Sequence, residues 1–496
     1  MITKPTFQNH KTFLLLFFFL LSFAGNAQIG IGTTTPNASS ILDVSSTTQG
    51  LLAPRMTTVQ RNAITTPADG LLVYDTDLKF FFYYVSSTAT WTPIVNGTAG
   101  RLNFKRIKST DVLATVLATE LAAGGGSKYQ LSSNTLYEIN GTVTFNFPID
   151  LNNAYVQGLD TNEDKIIRPS GNIFEGATGG SIKGLTLTAT AGNVFNLSGN
   201  ATQNLIFRDC VVVSSNTVGT ISGFGLVFLS VVQFVGNTNG ITYNNITQLL
   251  LSNLGWFSNN SGTYEKFTGT FTLIEKQGGF SQVDGSAIGF DVSTSGLTIT
   301  GDAVLESVVF TGTNTAGYVK PYTTGTYTGY NFNNSWSVRS AGIPVEADAS
   351  AVGDFAVDYA VGSGAGTSFT NNTNPSNIVK VNGVSTSTNL FRFSTDGGVN
   401  NRLKYLGKKK RIFQVVGSIS FQTPAAGTYI IYIAKNGTVI SQYKIYGRGA
   451  AVNDIVVLPL NASVELTNND YVEVYAQRFT GANGDIVVPN MTLTIK

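Results

Sequence analysis

The sequence predicts an all-β chain: a parallel β-helix, then a C-terminal jelly-roll β-sandwich, preceded by a small N-terminal leader module. Three observations carry this. Short apolar sets over residues 182–310 return at an interval of 20-odd residues. Residues 389–496 alternate densely between apolar and polar, as half-buried strands do. The composition is low in charge (12 %) and rich in Gly (53), Phe (32) and Tyr (20), which suits strands joined by polar turns rather than disorder.

Residues 1–27 read as a secretory signal. Lys4, His10 and Lys11 form a positive start, Thr12 to Ala24 is an apolar stretch, and Gly25 and Ala27 are small residues before Gln28. The apolar stretch is shorter than the ~20 residues a spanning helix needs, so export is expected and a transmembrane span is not. The expected location is secreted or at the bacterial cell surface. A lipid anchor directly after cleavage is excluded, because the only cysteine is Cys210.

Without the signal the charges balance. Lys4 and Lys11 leave with it, so 29 basic residues face 29 acidic ones. No basic field remains to attract nucleic acid. The sole histidine, His10, also leaves, which rules out Ser-His-Asp and Cys-His catalysis and the usual zinc sites. A lone cysteine allows no internal disulfide, and Cys210 falls at an inward position, as a small buried residue. No cofactor is expected.

The leader spans 28–97. Leu71, Val73 and the run Phe80 to Tyr84 suit two short strands, but so many Thr and Pro leave too little apolar volume for an independent core. Self-association would supply the missing burial. The motifs Gly30-Ile31-Gly32-Thr33, Leu42-Asp43-Val44, Pro54-Arg55-Met56, Gln60-Arg61 and Tyr74-Asp75-Thr76-Asp77, with Trp91, resemble a repeat of exported Gram-negative bacterial proteins akin to phage tail-fibre modules. That resemblance implies a fibrous, often trimeric surface protein.

Residues 101–340 open with a helical segment, Asp111 to Ala123, stopped by Gly124-Gly125-Gly126 and expected to cap the open end of the coils. The sets Ile182–Leu185–Leu187, Leu205–Phe207–Cys210–Val212, Val227–Leu229–Val232–Phe234 and Leu249–Leu251–Leu254–Trp256 then advance by 25, 22 and 22 residues. Ala303–Leu305–Val308–Phe310 repeats the spacing. A coil cannot bury its inward face alone, so coils must stack. The extra residue between apolar pairs suits a bend between sheets. Asn216, Gly219, Asn237, Asn239, Gly240, Asn259 and Asn260 fall between the sets, where turns call for left-handed backbone. The rival arrangement is a stack of antiparallel hairpins. This coil texture, with the opening segment LYEINGTVTFNFPIDLNNAYVQGL, resembles the right-handed β-helix family of pectate lyases and phage tailspikes.

Residues 341–388 read as a loose connection, with GSGAG at Gly362 to Gly366 as linker. In 389–496, Phe413, Val415, Ile419 and Phe421 alternate, as do Tyr429, Ile431 and Ile433, and Asn436-Gly437 makes a type I′ hairpin turn. About eight strands suit a jelly roll. YIIYIAKNGTVI and NNDYVEVYAQ resemble strands of the C1q and tumour-necrosis-factor type, which implies trimerisation.

Chemistry has few candidates. By the β-helix resemblance, polysaccharide lyases hold calcium on Asp/Glu clusters and use Arg or Lys as base. Asp160, Glu163, Asp164, Lys165 and Arg168 fall in one loop, and Arg208-Asp209 lies near a strand. An enzymatic reading therefore places catalysis on Asp164, Arg168 and Asp209, with calcium on Asp160, Glu163 and Asp164. Against it, no carboxylates recur at the coil interval. Lys408-Lys409-Lys410-Arg411, the one strong charge run, reads as a solvated loop rather than an anion site. The expected function is a trimeric fibre or adhesin presenting β-helix and head to a glycan or cell surface. The alternative is a carbohydrate-active enzyme, a lyase or hydrolase. A prophage tail component is a third reading, against which the export signal speaks.

Overall fold

The structure, a computed structural model, describes residue 14 and residues 28–94, 102–369 and 378–496. Apart from Leu14, the expected signal segment lies outside the described residues. The chain divides into two compact units, residues 1–102 and 103–496.

In the first unit, Ile29–Ile31 pairs in parallel with Leu42–Val44, and a four-stranded sheet runs Arg55–Met56, Leu72–Asp75, Phe80–Val85, Thr90–Pro93. Thr57 and Gln60 close a reciprocal capping box on the short helix Thr58–Asn62. That helix aims Arg61 inward, where its guanidinium lies 3.8 Å from the Phe82 ring centre and 3.3 Å from the buried Asp75 carboxylate. Among the described residues of this unit only Val73 and Phe82 are buried large apolar side chains. Ile29, Ile41, Leu51, Leu52, Val59 and Phe80 are exposed. The expected shortage of core is real.

The second unit begins with the solenoid. One long sheet runs from Phe104–Lys108 to Trp336–Ala341, and a nine-stranded sheet faces it from Tyr129–Gln130 to Val319–Lys320. Neighbouring strands are parallel throughout both. The hairpin stack is therefore excluded. Columns form as expected: Leu205, Val227, Leu249, Ile274 and Ala303 stack in register, as do Val212, Phe234 and Trp256. Rings stack along the second column, Phe234 on Trp256 at 3.9 Å between centres.

Two expectations change in detail. The N-terminal helix is broken into Leu113–Val116 and Ala118–Ala123 at Leu117, and Leu113 and Leu117 are its buried apolar residues, with Glu120 buried beside them, while Val112 is exposed. Of the turn residues expected in left-handed backbone, only Gly219 has positive φ. Asn237 and Asn260 instead form a buried ladder. The Asn237 Oδ1 accepts from Ser215 N (3.0 Å), and its Nδ2 donates to Val212 O (3.0 Å) and to Asn260 Oδ1 (2.9 Å). Asn260 Nδ2 donates in turn to Phe234 O at 2.7 Å. An amide side chain, donor and acceptor at once, satisfies backbone groups of the neighbouring coil that a turn leaves open.

The head is an antiparallel sandwich. Its first sheet orders Ser385–Thr386, Gly353–Asp358, Ile486–Ile495, Arg411–Gln422, Ile455–Leu466; the second is built on Tyr471–Arg478 and Gly427–Lys435. Phe413, Val415, Ile419, Phe421, Tyr429, Ile431 and Ile433 are all buried between them. Asn436 and Gly437 both have positive φ, as the type I′ turn requires. Pro459 sits within a twelve-residue strand because that strand pairs only with Arg411–Gln422 and keeps one edge free of ladder bonds.

The expected connection 341–388 needs correction. Gly353–Asp358 pairs along its length with Asn490–Ile495, with Phe355 and Val357 in the core. Ala365–Thr367, inside the supposed linker, pairs with Ile486–Val488. Each strand is too short to announce itself, and its partner lies more than a hundred residues away. The charge run is likewise no free loop. Lys408 Nζ donates to Gly301 O at 2.7 Å on the last coils, and the backbone N–H groups of Lys408 and Lys409 donate to Asp348 Oδ2 at 2.9 and 2.8 Å. Beside it Arg392, 1 % exposed, donates to Trp336 O at 2.6 Å and pairs with Asp348, joining solenoid to head.

Candidate functional site

The extra residue in each apolar set turns the chain through left-handed backbone. Gly184, Asp209, Val231, Asn253, Gly278 and Ser307 all have φ between 50° and 66°. The residues before them, Lys183, Arg208, Ser230, Ser252, Gln277 and Glu306, stack in strict register, so the corners form a column along the solenoid. Gly, Asn and Asp accept this geometry readily. Val231 does not: a β-branched residue at φ 54° is strained, and its side chain is half exposed.

Two depressions follow the column. The first, about 580 Å³, is lined by Gln157, Asp160, Thr161, Lys183, Asp209, Val231 and Gln233 among others. The second, about 260 Å³, is lined by Ser252, Asn253, Gln277, Gly278, Glu306 and Ser307. Amides, hydroxyls and carboxylates on a rigid floor can donate to and accept from a polyhydroxylated ligand. Cys210 lies at the edge of the first depression but is 2 % exposed, and its thiol donates to Arg208 O at 3.0 Å. Burial pushes that thiol up to about 12, so it is a packing residue and not a nucleophile.

The candidate residues from the sequence scatter. Asp160 and Asp209 share the first depression. Asp164 is buried beneath the same turn and fully engaged: Oδ1 accepts from Gly141 N at 2.8 Å, Oδ2 from Leu159 N at 2.6 Å and Asp160 N at 3.0 Å. Burial alone would raise its carboxyl, but these amide donors outweigh it and hold it below the ordinary carboxylate range. Arg168 is buried elsewhere, donating to Phe145 O at 3.4 Å. Glu163 caps nothing and stays exposed. Asp160, Glu163 and Asp164 therefore do not converge as a calcium site, and among the described residues no group of three or more acidic, His or Cys side chains does. Asp164 positions a turn, and the triad Asp164, Arg168, Asp209 is not assembled. Gln157, Lys183 and Gln233, which line the depression, were not singled out in sequence. The available signal was their outward place beside inward residues, Lys183 next to Ile182 and Gln233 between Val232 and Phe234.

A third depression, about 740 Å³, lies where the last coils meet the head, lined by Asp302, Glu306, Trp336, Asp348 and Lys408 to Arg411 among others. Its charges are largely committed to the clamp described above. Among the described residues no helix is long and apolar enough to cross a membrane.

Residues 30–110 match the family described as the phage tail like trimerisation region. Among solved structures, the chain is similar to the enzymatically active domain of tailspike protein 4 of bacteriophage CBA120, at 9 % identity over 90 % of this chain and 77 % of that one, with a TM-score of 0.24. It is also similar to the globular domain of zebrafish complement 1qA protein, at 10 % identity over 29 % of this chain and 93 % of that one, with a TM-score of 0.19. No curated protein matches it. A trimerisation region, a parallel β-helix and a jelly-roll sandwich, in that order, make the architecture tail-fibre-like.

Proposed function

We propose that the protein is an exported homotrimeric fibre that binds a glycan or cell surface through the polar corner column of its solenoid and through its head. The observation that carries the reading is the leader. Its match to a trimerisation region coincides with a unit that leaves Ile29, Ile41, Leu51 and Leu52 in water, apolar surface that copies of the same unit would cover. Three weak polar sites on one fibre add through effective concentration, so shallow depressions suffice for firm attachment. Sedimentation of the chain lacking residues 1–27 is expected to give a trimer; a monomer at micromolar concentration would refute the fibre. A glycan array is expected to show binding that weakens in Asp209→Ala and Gln233→Ala, and an array without signal would refute the ligand class.

One observation favours a second reading. Asp160 and Asp209 line one depression, and paired carboxylates are what glycoside cleavage requires. Incubation with uronate polymers, with release of new chain ends abolished by Asp209→Asn, would make cleavage the primary activity.

A further inference from the structure

One coil of the solenoid breaks the apolar rule. The inward column Phe207, Leu229, Leu251 continues to Lys276 before returning to Leu305. From the facing sheet, Glu265 stands in the column of Ile241 and Phe290. The two side chains, each 1 % exposed, meet at 2.7 Å between Nζ and Oε2. Neither group has a hydrogen bond to any third residue. The fully buried Tyr243 hydroxyl, close enough to feel the Glu265 charge, and the Ser281 hydroxyl of the same coil are also unpartnered.

Two charges sealed in apolar surroundings without supporting hydrogen bonds are poorly placed. Passing one proton across the contact leaves a neutral amine against a neutral carboxylic acid, the form that a low-dielectric site favours. Burial accordingly raises the Glu265 carboxyl above its ordinary range, with Lys276 opposing. An amine held on a carboxylic acid, away from water and from any competing partner, has had the entropy of encounter removed.

We propose that Glu265 and Lys276 become joined by an intramolecular amide bond once this coil has folded. The Nζ lone pair attacks Cδ of Glu265, the Nζ–Cδ bond forms and one Cδ–O bond breaks. The departing oxygen takes the acid proton and one amine proton and leaves as water. Nothing is oxidised or reduced, and no co-reactant is needed. Expulsion of water from the core and removal of two buried charges drive the condensation, and the product ties two consecutive strands of facing sheets, Thr263–Thr268 and Thr270–Gln282, across the core.

The mass of the purified full-length chain decides it. The expected mass is lighter by one water than the sequence requires. After denaturation and trypsin, Lys276 stays uncut and segment 209–266 is found linked to 267–339, since Pro321 protects the bond after Lys320. An unmodified mass, or cleavage at Lys276 with free segments, overturns the proposal, and so does a water deficit mapped to any other segment. Lys276→Met, which keeps the stem and removes the amine, is expected to abolish both deficit and linkage; a deficit that survives in it also overturns the proposal. The mass of the unaltered chain is decisive alone, so the test does not require that variant to fold.

Discussion

Replacing Asn237 by Ala tests whether the buried amide ladder holds the coils together. The side chain is 1 % exposed and makes three bonds, to Ser215 N, Val212 O and Asn260 Oδ1. Asn260 Oδ1 keeps a second donor, the Asn237 backbone N–H at 2.9 Å. Ser215 N–H and Val212 C=O lose the bonds that Asn237 gives them, and at about 1–3 kcal/mol for each such group the loss comes to roughly 4 kcal/mol. Asn237→Asp is expected to cost at least as much, because an acceptor then faces Val212 O where a donor stood. Asn237→Ser, copying the rung at Ser215, should recover part of the loss. Urea denaturation measures the total, and amide exchange over residues 212–217 locates it, since solenoid coils communicate mainly with their neighbours. A loss below ~1 kcal/mol for Asn237→Ala, or an aspartate variant as stable as the native chain, would refute the reasoning.

Other consequences follow from the same geometry. Val231→Asn, which places at this corner the residue that Asn253 already supplies in the next coil, should stabilise by about 1 kcal/mol, read as a raised melting temperature; unchanged or lower stability would show that the corner carries no strain. Cys210, its thiol pushed up to about 12 by burial, should resist iodoacetamide at pH 8 in the native protein and react at once in denaturant. Asp164, whose folded carboxyl sits below its unfolded value, contributes stability that is present at neutral pH and lost as pH falls below the ordinary carboxylate range. Asp164→Asn should lower neutral-pH stability by about 1–3 kcal/mol and flatten that acid dependence; an unaltered acid profile would remove Asp164 from its turn-holding role.

The candidate site was legible only in part. Asp160 and Asp209 could be picked out as charged residues near coil turns, but a one-dimensional pattern does not distinguish a carboxylate facing solvent from one consumed by three amides, as Asp164 is. The coil over 274–281 was invisible because Lys276, Gly279 and Ser281 interrupt the apolar spacing there. Its place is secured by the ladders on either side, to Leu251, Leu254 and Trp256 before it and to Leu305 and Phe310 after it. The charge run Lys408 to Arg411 looked solvated because Asp348 and Gly301, which hold it, are distant in sequence.

By itself the sequence determined the all-β class, the stacking of coils and the shortage of core in the leader. Each of these depends on a local period or on composition, and a period of two with a fixed coil interval leaves few ways to bury the inward side chains. Tertiary structure alone decided which turn residues are left-handed and which are ladder amides, that 353–358 belongs to the head, and that Glu265 meets Lys276 inside the core. Those are pairings between distant segments, set by which backbone groups and charges lack a partner after the coils have stacked.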